Sequence, residues 1–406
     1  MMLRLPVPAA AVLRWRYLAV LVLVSGLLLP AWYGTSHSSP NRASGQDAGR
    51  LRFDFDVARE AEADAQEQPE AYLQRIQFLL EASQYAQALE HAEKLVTAYP
   101  TFQLGNLLYA DLLNLSTQAP ETDPLGAIEA KNKPAIMQGL KKELDTRLRA
   151  LRSPYPANTI PKGLGFLAPS TEHFAVVDAS ASRMYVFRNT PSPTAPVQLE
   201  LLHHFYVSVG QNGIRKQQEG DGRTPLGVYF TQKALADKRL PDLYGAGALT
   251  LNYPNLYDVH QGRTGSGIWV HGTPSAQYSR LPEASDGCLV LSNDTMRLLL
   301  ALSPSKGIPV FIQERIEWVP RTQAFELPEA LRQLVDDKFP AARSARADAA
   351  APGPRRLGPG VAHLLSWRDQ DRTVVLLDLL ATERGPLRTY WVHKEGAWAL
   401  VAETAM

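Results

Sequence analysis

The chain has 406 residues, 42 Lys and Arg against 41 Asp and Glu, a formal net charge of +1 and one cysteine. That length allows two or three domains, and so even a charge balance excludes a partner held by a broad basic surface, so no nucleic acid is expected. A single cysteine excludes an intramolecular disulfide framework and suits a compartment where surplus thiols are a liability.

Taken from its start, the chain opens with Arg4, Arg14 and Arg16 ahead of an uncharged run from Tyr17 to Tyr33, which is near the short limit for a bilayer span. The positive flank predicts a cytoplasmic N-terminus with everything later on the far side. The run closes on Pro30, Ala31, Trp32 and Tyr33 without a clear small-x-small cleavage site. It therefore reads as an uncleaved anchor at residues 17–33, with a cleaved export signal as the rival reading. Residues 1–33 are the expected membrane segment, and 34–56, with Ser, Gly and Asn, the expected flexible linker.

Over 57–152 the periodicity is helical. Leu73, Ile76, Leu79 and Leu80 mark one apolar face, and Ala88, Leu89, Ala92, Leu95 and Val96 mark another. Tyr99-Pro100 ends the second helix, because proline disfavours helical geometry in the residue before it. Residues 85–113 resemble a tetratricopeptide-like helical pair, which implies docking or spacing; a plain bundle packed on the rest of the chain is the alternative. A further helix is expected from about Pro134 to Leu151, its alternating Lys, Glu and Arg predicting a solvated face.

Ser153 to Pro156 and Ile160 to Gly163 punctuate the chain, and beyond them short β-rich runs separated by turns predict a mainly-β domain at 165–315. His203 and His204 lack acidic or Cys partners at ligand spacing, and neighbours on a strand face opposite ways, so no metal is expected. His271 ends the apolar run Ile268, Trp269, Val270. Cys288 follows Gly287, which allows a sharp turn and a close approach to substrate. A thiol with a histidine from a separate segment is what acyl transfer requires, since the imidazole takes the thiol proton and later returns it to the leaving group.

His271-Gly272 followed by Ser285-Asp286-Gly287-Cys288 resembles the signature of the L,D-transpeptidase (YkuD-type) catalytic domain. Gly222 to Phe230 is similar to that family's Thr-Pro-x-Gly-x-Phe segment, Leu251 to Asn255 and Gly262 to Gly267 to its approach to the His strand, and Val176 to Phe187 to its opening hairpin. Two positions depart from the family's commoner residues: Asp286 before the Gly-Cys pair and Val290 after it. The resemblance implies a periplasmic cysteine acyltransferase acting on peptidoglycan tetrapeptide stems. Cys288 would attack the third-position carbonyl, expel the terminal D-alanine and pass the acyl group to an amine. Water as acceptor would make it an L,D-carboxypeptidase, and a decayed site would leave a non-catalytic cell-wall scaffold. The resemblance assigns His271 as base and then acid, the Gly272 carbonyl to orient it, and the Gly287 and Cys288 amides to the oxyanion. Arg263, Tyr253, Tyr257, Trp269, Ser285 and Asp286 are the expected substrate-binding group, Arg263 meeting a stem carboxylate. Asp286 is further expected to brace the turn through an Asx-type bond to the backbone. No cofactor is implied. Partners would be stem peptides, the membrane, and an envelope lipoprotein or cell-wall machinery at the helical region.

Past Arg315, residues 327–406 are expected to form an accessory domain containing a linker at 341–360 and a small antiparallel sheet. Gly396 to Glu403 is similar to the terminal strand of the NTF2-like domain behind some of these enzymes, so a partial copy is expected. Trp367, Trp391 and Trp398 either stack on glycan or fill a core. The expected whole is a multidomain α + β chain: membrane segment, helical region, mainly-β catalytic domain and small C-terminal sheet.

Overall fold

The structure is a computed structural model that describes residues 68–117, 133–152, 155–190, 197–235, 240–302, 307–342 and 360–406. The expected anchor at 17–33, the linker at 34–56 and most of that at 341–360 lie outside these residues. No helix among those described is long and apolar enough to cross a membrane.

Four helices come first: α1 (Pro69–Glu81), α2 (Tyr85–Ala98), α3 (Gln103–Thr117) and α4 (Lys133–Arg152). Pro69 suits the first helical position, where its missing N–H is one of the four that a helix leaves unpaired. Ser83 takes the left-handed conformation at φ 58°. The Gln84 amide then reaches the Leu79 carbonyl at 2.8 Å and the Ser83 amide the Leu80 carbonyl at 3.0 Å. This two-bond closure satisfies the last carbonyls of α1 and turns the chain sharply into α2. Leu73, Ile76, Ala88, Ala92, Leu95, Phe102 and Leu104 fill the core between the helices.

The expectation of a solvated α4 face is corrected. Glu143 and Arg147, at i and i+4, are both only 2% exposed. Arg147 pairs with Glu143 at 2.9 Å and also with Glu70 of α1. An alternating charge pattern looks solvated in sequence, but here a carboxylate from another helix lets the pair turn inward.

The remaining strands are β1 (Thr159–Pro161), β2 (Leu164–Leu167), β3 (His173–Asp178), β4 (Arg183–Asn189), β5 (Leu199–Tyr206), β6 (Val209–Gly210), β7 (Gly227–Leu235), β8 (Ala248–Leu251), β9 (Trp269–His271), β10 (Glu283–Ser285), β11 (Leu289–Val290), β12 (Pro309–Gln313), β13 (Trp318–Pro320), β14 (Val361–Asp369), β15 (Arg372–Leu379), β16 (Leu387–Lys394) and β17 (Ala397–Ala405). Three helices punctuate them, α5 (Leu256–His260), α6 (Asn293–Leu302) and α7 (Glu329–Lys338). The main sheet has the order β11-β9-β8-β7-β12-β3-β4-β5, with β11 parallel to β9 and β12 parallel to β3. Because side chains alternate along a strand, Phe174 and Val176 of β3 enter one core while Ala175 and Val177 enter another. Both faces of the central strands are thus buried, at roughly 1.5–3 kcal/mol of stabilisation for each large apolar side chain.

The first of those cores is shared with a second, antiparallel sheet of order β17-β16-β15-β14-β2. Leu164–Leu167 pairs with β14, so residues 165–167, expected within the catalytic domain, lie in the C-terminal sheet. The far face of that sheet packs on Leu331 and Val335 of α7. Trp367 and Trp391 are buried in the two cores flanking this sheet, which removes them as glycan platforms. Trp398 is half-buried with its ring 4.9 Å from that of His393.

Candidate active site

β9 carries His271 at its last position, and β11 runs parallel beside it with Val290 opposite His271. Cys288 lies two residues before Val290, at the entry to the strand that pairs with the one ending in His271. The turn that delivers Cys288 needs glycine at 287. Its φ is 121°, and a Cβ there would lie 2.5 Å from the Arg223 carbonyl oxygen. Thr224 Oγ1 donates to the Gly287 carbonyl and accepts from the Gly210 amide, each at 2.9 Å, which ties the turn to β6. Behind it, Met296 and Leu299 of α6 pack in the same core as Leu289 and Leu291.

His271 Nδ1 lies 2.7 Å from the Gly272 carbonyl. A carbonyl only accepts, so Nδ1 carries the proton and Nε2 is left as the acceptor that a base requires. Gly272 has no room for a side chain, since a Cβ would stand 2.3 Å from Asn293 Oδ1. Its amide donates to the Tyr244 carbonyl at 3.1 Å, and the Tyr244 ring meets the imidazole edge-on at 5.2 Å. Burial presses His271 down to a pKa of about 4, with Arg280 adding to the effect and the Gly272 carbonyl opposing it. Burial and then the Asp286 carboxylate push the Cys288 thiol up, while the Trp269 amide, Arg280 and Lys216 pull it back.

Burial thus favours the neutral form of both the imidazole and the thiol. Alkylation of Cys288 by iodoacetamide is accordingly expected to keep accelerating through about pH 9, following thiolate formation from a reference pKa of roughly 8.5 that burial raises. A rate already flat below pH 7 would instead reveal a preformed thiolate–imidazolium pair.

The expected substrate-binding group does not assemble as a group. Arg263 is buried and spends its guanidinium on Asp258, at 2.9 Å, and on Asp369 of β14. Tyr257 donates to Asp369 at 2.6 Å, and Tyr253 to the Thr264 carbonyl at 3.1 Å. These three residues serve a buried network, two of them joining the sheets, because a carboxylate about a hundred positions further on claims the cation. Ser285 is also buried; its hydroxyl donates to the Cys288 carbonyl at 2.7 Å and accepts from the Gly287 amide at 3.1 Å. The bracing expected of Asp286 thus belongs to Ser285, while Asp286 is exposed and accepts from the Gln211 side chain at 3.0 Å. The Gly287 amide, expected to face the oxyanion, donates to Ser285 instead. Trp269 stays beside the pair, half-buried, with its ring 4.9 Å from that of Tyr244.

Sequence reasoning passed over Arg280, Tyr244 and the hub role of Asn293. The Asn293 side chain donates to the Thr273 carbonyl at 2.9 Å and accepts from the Ala246 amide at 2.8 Å. A cleft of about 290 Å³ opens elsewhere, lined by Asn252 to Leu256 and by Arg388, Tyr390 and Thr404 of the C-terminal sheet.

Residues 172–312 match YkuD, the L,D-transpeptidase catalytic domain. Among solved structures the chain is similar to Bd1075 of Bdellovibrio bacteriovorus, at 22% identity and a TM-score of 0.44 over 61% of this chain and 97% of that one. It is also similar to the helical cell shape determining protein Pgp2 of Campylobacter jejuni, at 18% identity and a TM-score of 0.42 over 60% of this chain and 94% of that one. No curated protein matches the sequence.

Proposed function

We propose, from the premise that residues 172–312 carry an L,D-transpeptidase catalytic domain, that the chain is a cysteine acyltransferase acting on peptidoglycan tetrapeptide stems. The observation that carries this reading is the His271 imidazole, its Nδ1 proton committed to the Gly272 carbonyl, at the end of the strand beside the one that a glycine-turned Cys288 leads into. As Cys288 Sγ attacks the carbonyl of the third stem residue, its proton passes to His271 Nε2 and a tetrahedral oxyanion forms, which becomes the thioester only when the D-alanine amine leaves. The Gly272 carbonyl holds the imidazolium in place, and the Cys288 amide donates to the oxyanion. His271 then returns the proton to the departing D-alanine amine as the C–N bond breaks. An incoming amine or water releases the acyl group by the reverse sequence. The one-sided charges around the 17–33 run support a site on the outer face of the cytoplasmic membrane, in the periplasm, with that run as its tether.

The test is incubation of the purified chain with tetrapeptide muropeptides and mass analysis of the products. Released D-alanine with crosslinked dimers is the expected result. Tripeptide products without dimers would name water as acceptor. No product, together with no carbapenem adduct on Cys288, would sink the enzymatic reading in favour of a scaffold.

A further inference from the structure

The segment between His271 and the Cys288 turn is held by the helical region. Tyr278 packs on the connection between α2 and α3, edge-on to Tyr99 at 4.8 Å and to Phe102 at 5.3 Å, and its amide donates to the Thr101 carbonyl at 3.2 Å. Ser279 Oγ donates to Glu143 of α4 at 2.8 Å, and Lys142 pairs with Glu283 at 2.6 Å. Leu281 packs so tightly on α4 that a Cβ at Gly139 would lie 2.4 Å from it. From the other side, Tyr206 donates to the Arg280 carbonyl at 2.9 Å and Ser208 to the Leu281 carbonyl at 2.5 Å. Both flanks of Arg280 are therefore fixed, one set of contacts coming from the helices and the other from the sheet.

Arg280 itself folds back towards the nucleophile's turn. Its Nη1 donates to the Ala284 carbonyl at 3.2 Å, four residues before Cys288. Its charge acts on both His271 and Cys288. Its Nε is buried with no acceptor. No carboxylate forms an ion pair with it among the described residues, unlike the buried Arg147 and Arg263. A half-buried guanidinium that the protein does not neutralise, beside a reacting thiol, favours a negatively charged group.

We propose that Arg280 is the carboxylate-binding residue of the site, and that the helical region, by gripping Tyr278, Ser279 and Leu281, positions it there. The ligand class is a peptide with a free carboxylate beside the scissile bond, a choice that rests on the function proposed above. The anion site itself does not depend on that function.

The experiment compares alkylation of Cys288 in the full-length chain by anionic iodoacetate and neutral iodoacetamide at low salt. Any change in thiol ionisation alters both rates together and cancels in their ratio. Arg280→Gln should lower the iodoacetate-to-iodoacetamide ratio roughly fivefold, the scale of one charge a few ångströms away in a half-solvated site, and Arg280→Lys should recover much of it. A ratio changed by less than about twofold, within the range of surface-charge effects, overturns the anion site. Tyr278→Ala should lower the same ratio with Arg280 intact, and Tyr278→Phe should restore it. Should Tyr278→Ala fail to fold, Ser279→Ala tests the same grip. An unchanged ratio in a folded grip variant overturns the positioning role. If the ratio falls as expected while no muropeptide is turned over, the anion site stands and the peptidoglycan reading fails.

Discussion

Cys288→Ser is expected to melt at the wild-type temperature and to lose turnover of tetrapeptide stems by at least about a thousandfold, the scale on which activated nucleophiles contribute. The argument lies in the base. His271, at a pKa of about 4, is a weak proton acceptor, and it already faces a thiol that burial pushes upward. A hydroxyl is far less acidic than a thiol and widens that gap further. The substitution keeps a donor in place, because the hydrogen bond from Sγ to the Gly267 carbonyl at 3.4 Å is open to a serine hydroxyl as well. Product release followed by mass spectrometry and a thermal melt together check it. Turnover within tenfold of wild type would remove Cys288 from the role of nucleophile.

Arg147→Ala is expected to cost roughly 3–5 kcal/mol, the usual price of stripping one partner from a buried ion network. The guanidinium lies 3.9 Å from the Tyr206 ring centroid and serves both Glu70 and Glu143. Its loss leaves two carboxylates with little access to water. Burial works against ionised Glu70, but Arg147 with Arg183 holds its carboxyl below the ordinary 4.5. A depressed carboxylate contributes stability above its unfolded pKa and loses it as pH falls. The gap between wild type and variant should therefore narrow below about pH 4.5. Urea midpoints at pH 7 and pH 4 measure both effects. A loss under about 1 kcal/mol at pH 7 would mean that the carboxylates are solvated and the network is not closed. Because Glu143 also receives Ser279, the same variant should loosen the Arg280 segment.

The placement of His271 and Cys288 was legible because its signals are local. A histidine ending an apolar run and a cysteine after glycine report strand edges and turns, whose geometry depends on neighbours in sequence. The strands of the C-terminal sheet were visible for the same reason, through their period of two. Asp286 was misjudged against Ser285 because an Asx turn and a serine bridge to the same backbone look alike until the hydroxyl is placed.

What the sequence determined by itself, then, was which groups could do chemistry: one thiol, the histidine that ends the neighbouring strand, and the glycines that let each backbone pass. What only the tertiary structure decided was which cations remain available to a substrate. Arg263 and Arg280 are indistinguishable as residues, and Arg263 lies in a segment that resembles the family. Asp258 and Asp369 neutralise the first, whereas Arg280 has no carboxylate partner among the described residues and donates to the Ala284 carbonyl, in a segment that the α2–α3 connection and α4 hold. Charge pairing is a property of distance in space, and the carboxylate that settles the fate of Arg263 stands about a hundred residues away in the chain, beyond the reach of any motif.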